Sequence, residues 1–343
     1  MRRVKISDVS FDDVTDAKYD WLIVGVGVES RCDYISKCLQ KAGTTVRNVL
    51  AFCFPDVKDT SRGRIIRGKV KRSLEKVCIR PRNVHIVEIA SDASDEVYSQ
   101  LNKWIRSQDG NSLFVDYSAM SRVWYTSILL WLYHGVRVCE SLKMVLAYAE
   151  GKYSKTIAHK DVAIQEIKAV PGCEGVIYRQ APTSVVFGLG FYGYASLCAC
   201  EQLEPDKIYT LMTTDKPVRG FDIEEQDGNK EMIRRSGNDV YKVPLISLES
   251  TYRCLIKIAA QCHAEGNDVI LVPMGPKPHV LASVLVSLSD RRVCTMRVRH
   301  SRYDSDIKQT GRIVTTKVSF VDVGVADGAK IVPRTQVLRD RSL

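Results

Sequence analysis

Four short stretches place glycine, hydroxyl and cationic residues where an apolar strand turns into a helix: GVGVESR (25–31), SAMSR (118–122), GLGFYG (188–193) and MGPKPH (274–279). These residue types suit an anion. Glycine admits a ligand close to the backbone, and the free N–H groups at a helix start favour phosphate. On this reading Gly25, Gly27, Ser30 and Arg31 contact a ligand from the first loop, and Ser118, Ser121 and Arg122 from the second. Gly188, Gly190, Tyr192 and Gly193 do so from the third, and Gly275, Lys277 and His279 from the fourth. Arg122 and Lys277 would neutralise phosphate, while Tyr192 would stack on a base or ribose. The structural alternative is that the glycines only make tight turns, and that Arg122 pairs with a carboxylate such as Asp116 or Glu150.

Other chemistries leave weaker traces. GLGFYG is a complete Gly-x-Gly-x-x-Gly between a strand and a helix, with Asp215 roughly 20 residues on, so an NAD(P)-dependent or other nucleotide-dependent enzyme is a second reading. Against it, the first copy has Ser30 where the third glycine belongs, and no acid or base is placed for hydride transfer. No Walker A loop occurs, which argues against ATP hydrolysis, and no Gly-x-Ser-x-Gly elbow occurs, which argues against acyl transfer. The six histidines are scattered, and neither Cys-x-x-Cys nor His-Glu-x-x-His is found, so no metal and no cofactor is expected.

The elements that must carry these loops repeat. DWLIVGVGVESRCDYISKCLQ (20–40) and TSVVFGLGFYGYASLCACEQL (183–203) both read as buried strand, glycine turn and helix, with Gly25 and Gly27 against Gly188 and Gly190. Further on, RNVHIVEIASDASDEVYSQLNKWIRSQDGNSLFVDYS matches NDVYKVPLISLESTYRCLIKIAAQCHAEGNDVILVPM, with Asn111 against Asn267. Short apolar strands alternating with helices predict an α/β fold of two Rossmann-like parallel-sheet halves related by internal duplication. The expected boundaries are an appendage at 1–19, a first half at 20–160, a connector at 161–182, and a second half at 183–343 that includes C-terminal strands. The helices at 123–133 and 280–288 are apolar around most of their circumference, so each needs a second neighbour. They would pack on each other across the pseudo-two-fold axis, or be covered by the connector or another subunit.

Composition sets the outer bounds. The chain has 343 residues and a formal charge of +10, concentrated in the runs 58–82 and 291–312. That excess favours an anionic partner, a nucleotide or a nucleic acid bound to the basic surface. The eleven cysteines lie mostly in apolar segments and read as small core residues. No stretch reaches the roughly 18 apolar residues of a membrane span, and acidic residues stand where a signal peptide needs an apolar run. A soluble cytoplasmic protein is expected.

The strand, polar turn and apolar helix in FVDYSAMSRVWYTSILLWL and LVPMGPKPHVLASVLVSL resemble the signature region of CRISPR-associated Rossmann-fold (CARF) domains, and two such halves in one chain resemble SAVED domains of antiphage defence. The resemblance implies a sensor that binds a cyclic oligonucleotide across the pseudo-two-fold axis in prokaryotic antiphage defence, with its output in a separate effector subunit. Some CARF proteins cleave their ligand as ring nucleases. On that implication Ser121 and Lys277 would position the attacking 2′-hydroxyl and stabilise charge without a metal. GPKP departs from the family's Gly-Thr-Lys turn, and the first copy has only Ser-Arg. A scaffold subunit of a defence complex with a vestigial cleft is the remaining alternative.

Overall fold

Strands that are apolar along most of their length organise the chain. In the computed structural model, which describes residues 2–105, 112–135, 143–152, 163–176, 178, 180–214, 223–224, 226–300 and 307–322, β2 (Lys18–Val26), β3 (Thr45–Cys53) and β5 (Ser112–Asp116) bury nearly every residue. Burial on both faces is what a helix-covered parallel sheet imposes. With β4 (Val84–Glu88) and β6 (Lys143–Lys152) they make five parallel strands in the order β4-β3-β2-β5-β6. The crossovers contain α2 (Tyr34–Lys41), α3 (Ser61–Val77), α4 (Ser94–Trp104) and α5 (Arg122–His134).

The second half repeats this order. Strands β8 (Thr183–Gly188), β9 (Lys207–Thr213), β10 (Val240–Val243), β11 (Asp268–Pro273) and β12 (Val293–His300) are parallel and lie as β10-β9-β8-β11-β12. Their crossovers contain α6 (Gly193–Leu203), α7 (Asp227–Ser236), α8 (Leu248–Ala264) and α9 (Lys277–Ser289). Both halves are therefore doubly wound, with the order reversing between the first and fourth strands of each, and that crevice is where open α/β sheets take ligands.

The flanking segments distribute differently from the sequence boundaries. β13 (Lys308–Asp322), expected to extend the second half, pairs antiparallel with β6 of the first sheet. β1 (Arg2–Val9), from the supposed appendage, pairs antiparallel with β13, and the short α1 (Asp12–Thr15) leads into β2. β7 (Ile164–Ala169), within the expected connector, closes the second sheet by pairing antiparallel with β12. The reason is physical: the outer edges of β6 and β12 would otherwise leave a row of unpaired N–H and C=O groups.

The halves share a core. Trp124, Ile128, Leu129 and Leu132 of α5 belong to the same buried cluster as Val280, Leu281, Val284, Leu285 and Leu288 of α9. Ala282 and Val286, on another side of α9, pack into the second half. The two apolar helices thus pack against each other, which explains their lack of a polar face. No helix among the described residues is long and apolar enough to cross a membrane.

Candidate functional site

The carboxyl ends of β2 and β5 meet those of β8 and β11 around one cavity of about 460 Å³. That size falls within the range of small-molecule sites. Both halves line it, and the residues do so in matched positions. Gly27, Val28 and Glu29 of the first β2 loop stand opposite Gly190, Phe191 and Tyr192 of the second. The β5–α5 turn contributes Ser121 and Arg122, and the β11–α9 turn contributes Gly275 and Lys277.

Strand-to-helix turns this close need small residues, and the glycines divide by what they touch. A Cβ on Gly25 would lie 2.7 Å from Met120 N, and one on Gly190 would lie 2.7 Å from Met274 O. Gly188 has its counterpart contact at 3.2 Å from Pro273 Cα. These glycines let the two loops of each half pack together. Gly27 differs, because the atom nearest its added Cβ is the Phe54 ring at 3.5 Å, which leaves its backbone facing the cavity. Gly193 serves helix packing, since its Cβ would sit 2.7 Å from Asn229 N in α7. The same asparagine fixes the GLGFYG loop, with Nδ2 donating to Gly190 O at 2.9 Å and to Ile223 O at 2.8 Å.

The two cations at the helix starts exchange partners across the pseudo-two-fold axis. Arg122, first residue of α5, donates from Nη1 to Pro273 O (3.3 Å) and from Nη2 to Met274 O (3.4 Å) and Gly275 O (3.3 Å) in the opposite half. Lys277, first residue of α9, donates from Nζ to Ser118 O (2.6 Å) and Met120 O (2.8 Å). Neither pairs with the carboxylates of Asp116 or Glu150. Burial pushes the Lys277 amine down to about 8, with nearby Glu29 pulling the other way. Ser121 caps α5, its Oγ accepting from Trp124 N at 3.1 Å.

Several sequence candidates point inward instead. Arg31 is 1% exposed, donating to Glu29 Oε2 at 2.5 Å and Ala149 O at 2.9 Å. It ties the first loop to β6. Ser118 is fully buried, donating to Asp116 Oδ1 at 2.5 Å and accepting from Ala149 N at 2.8 Å. Burial raises Asp116 to about 6 against the pull of these Ser118 hydrogen bonds. His279 is fully buried beneath the turn, near Gly275. Ser30 is exposed and stands outside the cavity lining, as do Gly25, Gly188 and Gly193. Asp215 lies outside the described residues. Cys32, beside the first loop, has its thiol pushed up to about 12, chiefly by burial, so it is no nucleophile near neutral pH. Among the described residues no group of three or more His, Cys, Asp or Glu side chains could hold a metal ion.

The structure adds residues that loop reasoning missed. The ends of β6 and β12 bring Tyr148, Glu150, Arg297 and Arg299 to the cavity, and the loops after β3 and β4 bring Asp56 and Asp92. Glu150, 8% exposed, accepts from Thr310 Oγ1 at 2.7 Å. Arg297 donates from Nη2 to Glu166 at 3.3 Å, while its buried Nε has no hydrogen-bond partner among the described residues. Arg299 reaches Asp92 at 3.4 Å across the mouth, between the two halves. The signal was present in the sequence, since VCTMRVRH carries arginines at alternate positions of an otherwise apolar strand, which places them on one face.

No protein-family model and no curated protein matches the sequence. Among solved structures, a Type III CRISPR defence DNA nuclease activated by cyclic oligoadenylate aligns at TM-score 0.45 and 9% identity. That alignment covers 80% of this chain and 64% of the nuclease, so the chain spans just under two thirds of that protein's length. An N-terminal ketoreductase from a macrolactin assembly line aligns at TM-score 0.23 and 9% identity, covering 85% of this chain and 72% of the other. A functionally unknown protein from Pseudomonas aeruginosa PAO1 aligns at TM-score 0.22 and 7% identity, covering 82% and 93%. These alignments are too loose to identify a family, and what stands is an α/β chain of two Rossmann-like halves.

Proposed function

We propose that the protein is a sensor whose inter-half cleft binds a phosphate-bearing nucleotide, most specifically a cyclic oligonucleotide second messenger, in prokaryotic antiphage defence. The observation that carries this reading is the position of the cavity. It lies at the switch points of both halves at once and is lined by matched loops, whereas a dehydrogenase of the GLGFYG type would hold its cofactor in the second half alone. The glycines of GLGFYG also have packing reasons of their own, which weakens the nicotinamide alternative.

Gly27, Gly190 and Gly275 bring backbone to the ligand, Tyr192 offers a ring for stacking, and Arg122 and Lys277 supply positive charge at the axis. Ser121 and Lys277 both face the cavity, as metal-independent cleavage of the ligand would require. The effector would be a separate subunit, and a scaffold role with an empty cleft is the competing reading. A thermal-shift panel of cyclic di-, tri- and tetranucleotides against NAD and NADP tests the proposal, because a ligand that binds only the folded state raises Tm. A shift with one or more cyclic nucleotides is expected, and chromatography of the recovered ligand separates sensing from cleavage. A shift with NAD or NADP alone overturns the reading, and no shift with any of them favours the scaffold.

A further inference from the structure

Helix α3 carries more charge than its packing uses. From Thr60 to Arg82 the chain has nine lysines and arginines against one acid, Glu75. The helix (Ser61–Val77) turns Val70, Leu74 and Val77 into the core. At 3.6 residues per turn, Arg62, Ile65, Lys69, Arg72 and Lys76 then fall within about 80° of one another, and all five are exposed.

Cations beside this stripe are engaged locally. Lys58 and Arg67 pair with Glu88 at 2.8 and 3.1 Å, Lys71 lies 3.8 Å from Glu75, and Arg64 donates to Lys58 O at 3.0 Å. Lys69, Arg72 and Lys76 differ, because none of them has an ion-pair or hydrogen-bond partner among the described residues. They follow one another at i+3 and i+4 steps, where like charges face each other and weaken a helix. Lys76, in the last turn, gains from the helix dipole, but Lys69 and Arg72 do not. An anion outside the helix would offset the repulsion.

The kind of anion follows from what else the stripe carries. The apolar face of α3 is already buried, and Ile65, 59% exposed, is the one apolar residue of the stripe, so the helix cannot embed in a bilayer surface. No aromatic residue occurs between Thr60 and Arg82, which removes the stacking platform that single strands use. No hydroxyl or amide stands on the stripe to read the 2′-hydroxyls of duplex RNA. What remains is a row of positive charge rising about 21 Å from Arg62 to Lys76, enough to reach phosphates on both sides of a B-DNA major groove about 12 Å wide.

We infer that α3 is a docking surface for duplex DNA, which it holds through phosphates without regard to base sequence. The surface lies outside the cavity lining and stands independently of the nucleotide reading. Fluorescence anisotropy tests it, with the full chain titrated against a random-sequence DNA duplex of about 20 base pairs in about 50 to 200 mM salt. Binding should weaken with salt at a log–log slope of about −2.7 or steeper, the value for three phosphate contacts. Lys69→Gln, Arg72→Gln and Lys76→Gln combined should flatten the slope by about that amount and cost at least about tenfold in affinity at low salt, with Tm unchanged. Arg3→Gln, Lys5→Gln and Lys257→Gln combined remove three exposed cations from β1 and α8, and should leave duplex binding within about twofold of wild type. Equal loss in both triple variants reduces the effect to net charge and overturns the inference. Tighter binding to a single strand, an RNA duplex or phosphatidylserine vesicles overturns it too, as does no binding to the DNA duplex at low salt.

Discussion

The buried amine of Lys277 makes a quantitative test of how the two halves meet. Burial holds its pKa at about 8 instead of 10.5. At about 1.4 kcal/mol per tenfold change in proton affinity, that difference corresponds to roughly 3 kcal/mol. The amine borders the cavity, where water screens part of the effect, so this is a ceiling. The sign follows from proton counts. Between pH 8 and 10.5 the unfolded chain keeps the proton that the folded chain has released, so stability rises with pH in that window. Below pH 8 both states are protonated and the folded state bears the full desolvation penalty. In Lys277→Met the group is absent, while other titrations are largely common to both proteins and cancel in the difference. Urea denaturation followed by tryptophan fluorescence, on wild type and variant from pH 7 to 10.5, should therefore show the wild-type stability gaining on the variant by up to about 3 kcal/mol. A difference that stays flat across this range would refute the desolvated amine and the carbonyl exchange built on it.

Three further outcomes are expected. Burial raises Asp116 to about 6 from an ordinary 3.8, so the folded state favours the neutral carboxyl, and this contribution to stability falls as pH rises through that window. Asp116→Asn, which keeps an oxygen for Ser118, should stabilise the protein by up to about 3 kcal/mol at pH 7 and by nothing near pH 3.5, read by denaturation at the two pH values. Gly25→Ala forces a Cβ to 2.7 Å from the Met120 backbone nitrogen and should cost about 1–3 kcal/mol of stability, whereas Gly27→Ala, which meets the Phe54 ring at 3.5 Å and Ala119 O at 4.0 Å, both ordinary contacts, should leave Tm nearly unchanged and weaken ligand binding. Arg31→Met removes a buried guanidinium from its half-buried partner Glu29 and leaves the buried Ala149 carbonyl without its donor, so it should destabilise the protein by about 2 kcal/mol, with urea midpoints as the readout; an unchanged midpoint would return Arg31 to the ligand site.

The helix-covered parallel sheet of each half was legible because a strand covered on both faces must be apolar throughout, as LIVGV in β2 and VILVP in β11 are, and because the two copies check each other. The partner of β13 was not. Its alternation of buried and exposed residues announces a strand, yet nothing local says that its hydrogen bonds go to β6, far back in the chain, rather than to the nearer second sheet. The site was legible as four loops and only partly as side chains. Residue type and loop position nominated Arg31, Ser118 and His279, but the path of each turn rotates all three into the protein. Arg297, Arg299 and Glu150 sit on fifth strands rather than on glycine turns, so a search confined to helix starts passed over them.

The axial cations show where sequence reasoning needs the second half to be complete. A lysine or arginine at a helix start opposes the dipole, and taken alone it implies a missing anion. In a duplicated fold the opposite turn is an alternative, because the carbonyls that end β11 and β5 arrive within reach of Arg122 and Lys277. Each carbonyl is a partial charge only, so several must gather around one cation, and three surround Arg122 while two surround Lys277. The consequence for binding is that loss of either side chain leaves buried carbonyls of the other half unpaired, and stability and affinity no longer separate at these two positions. They separate at Gly27, where the absence of a side chain leaves the backbone facing the cavity without anchoring the opposite turn. Recognition is therefore best sought at the glycine loops that line the cavity, and the coupling of the halves at the axis.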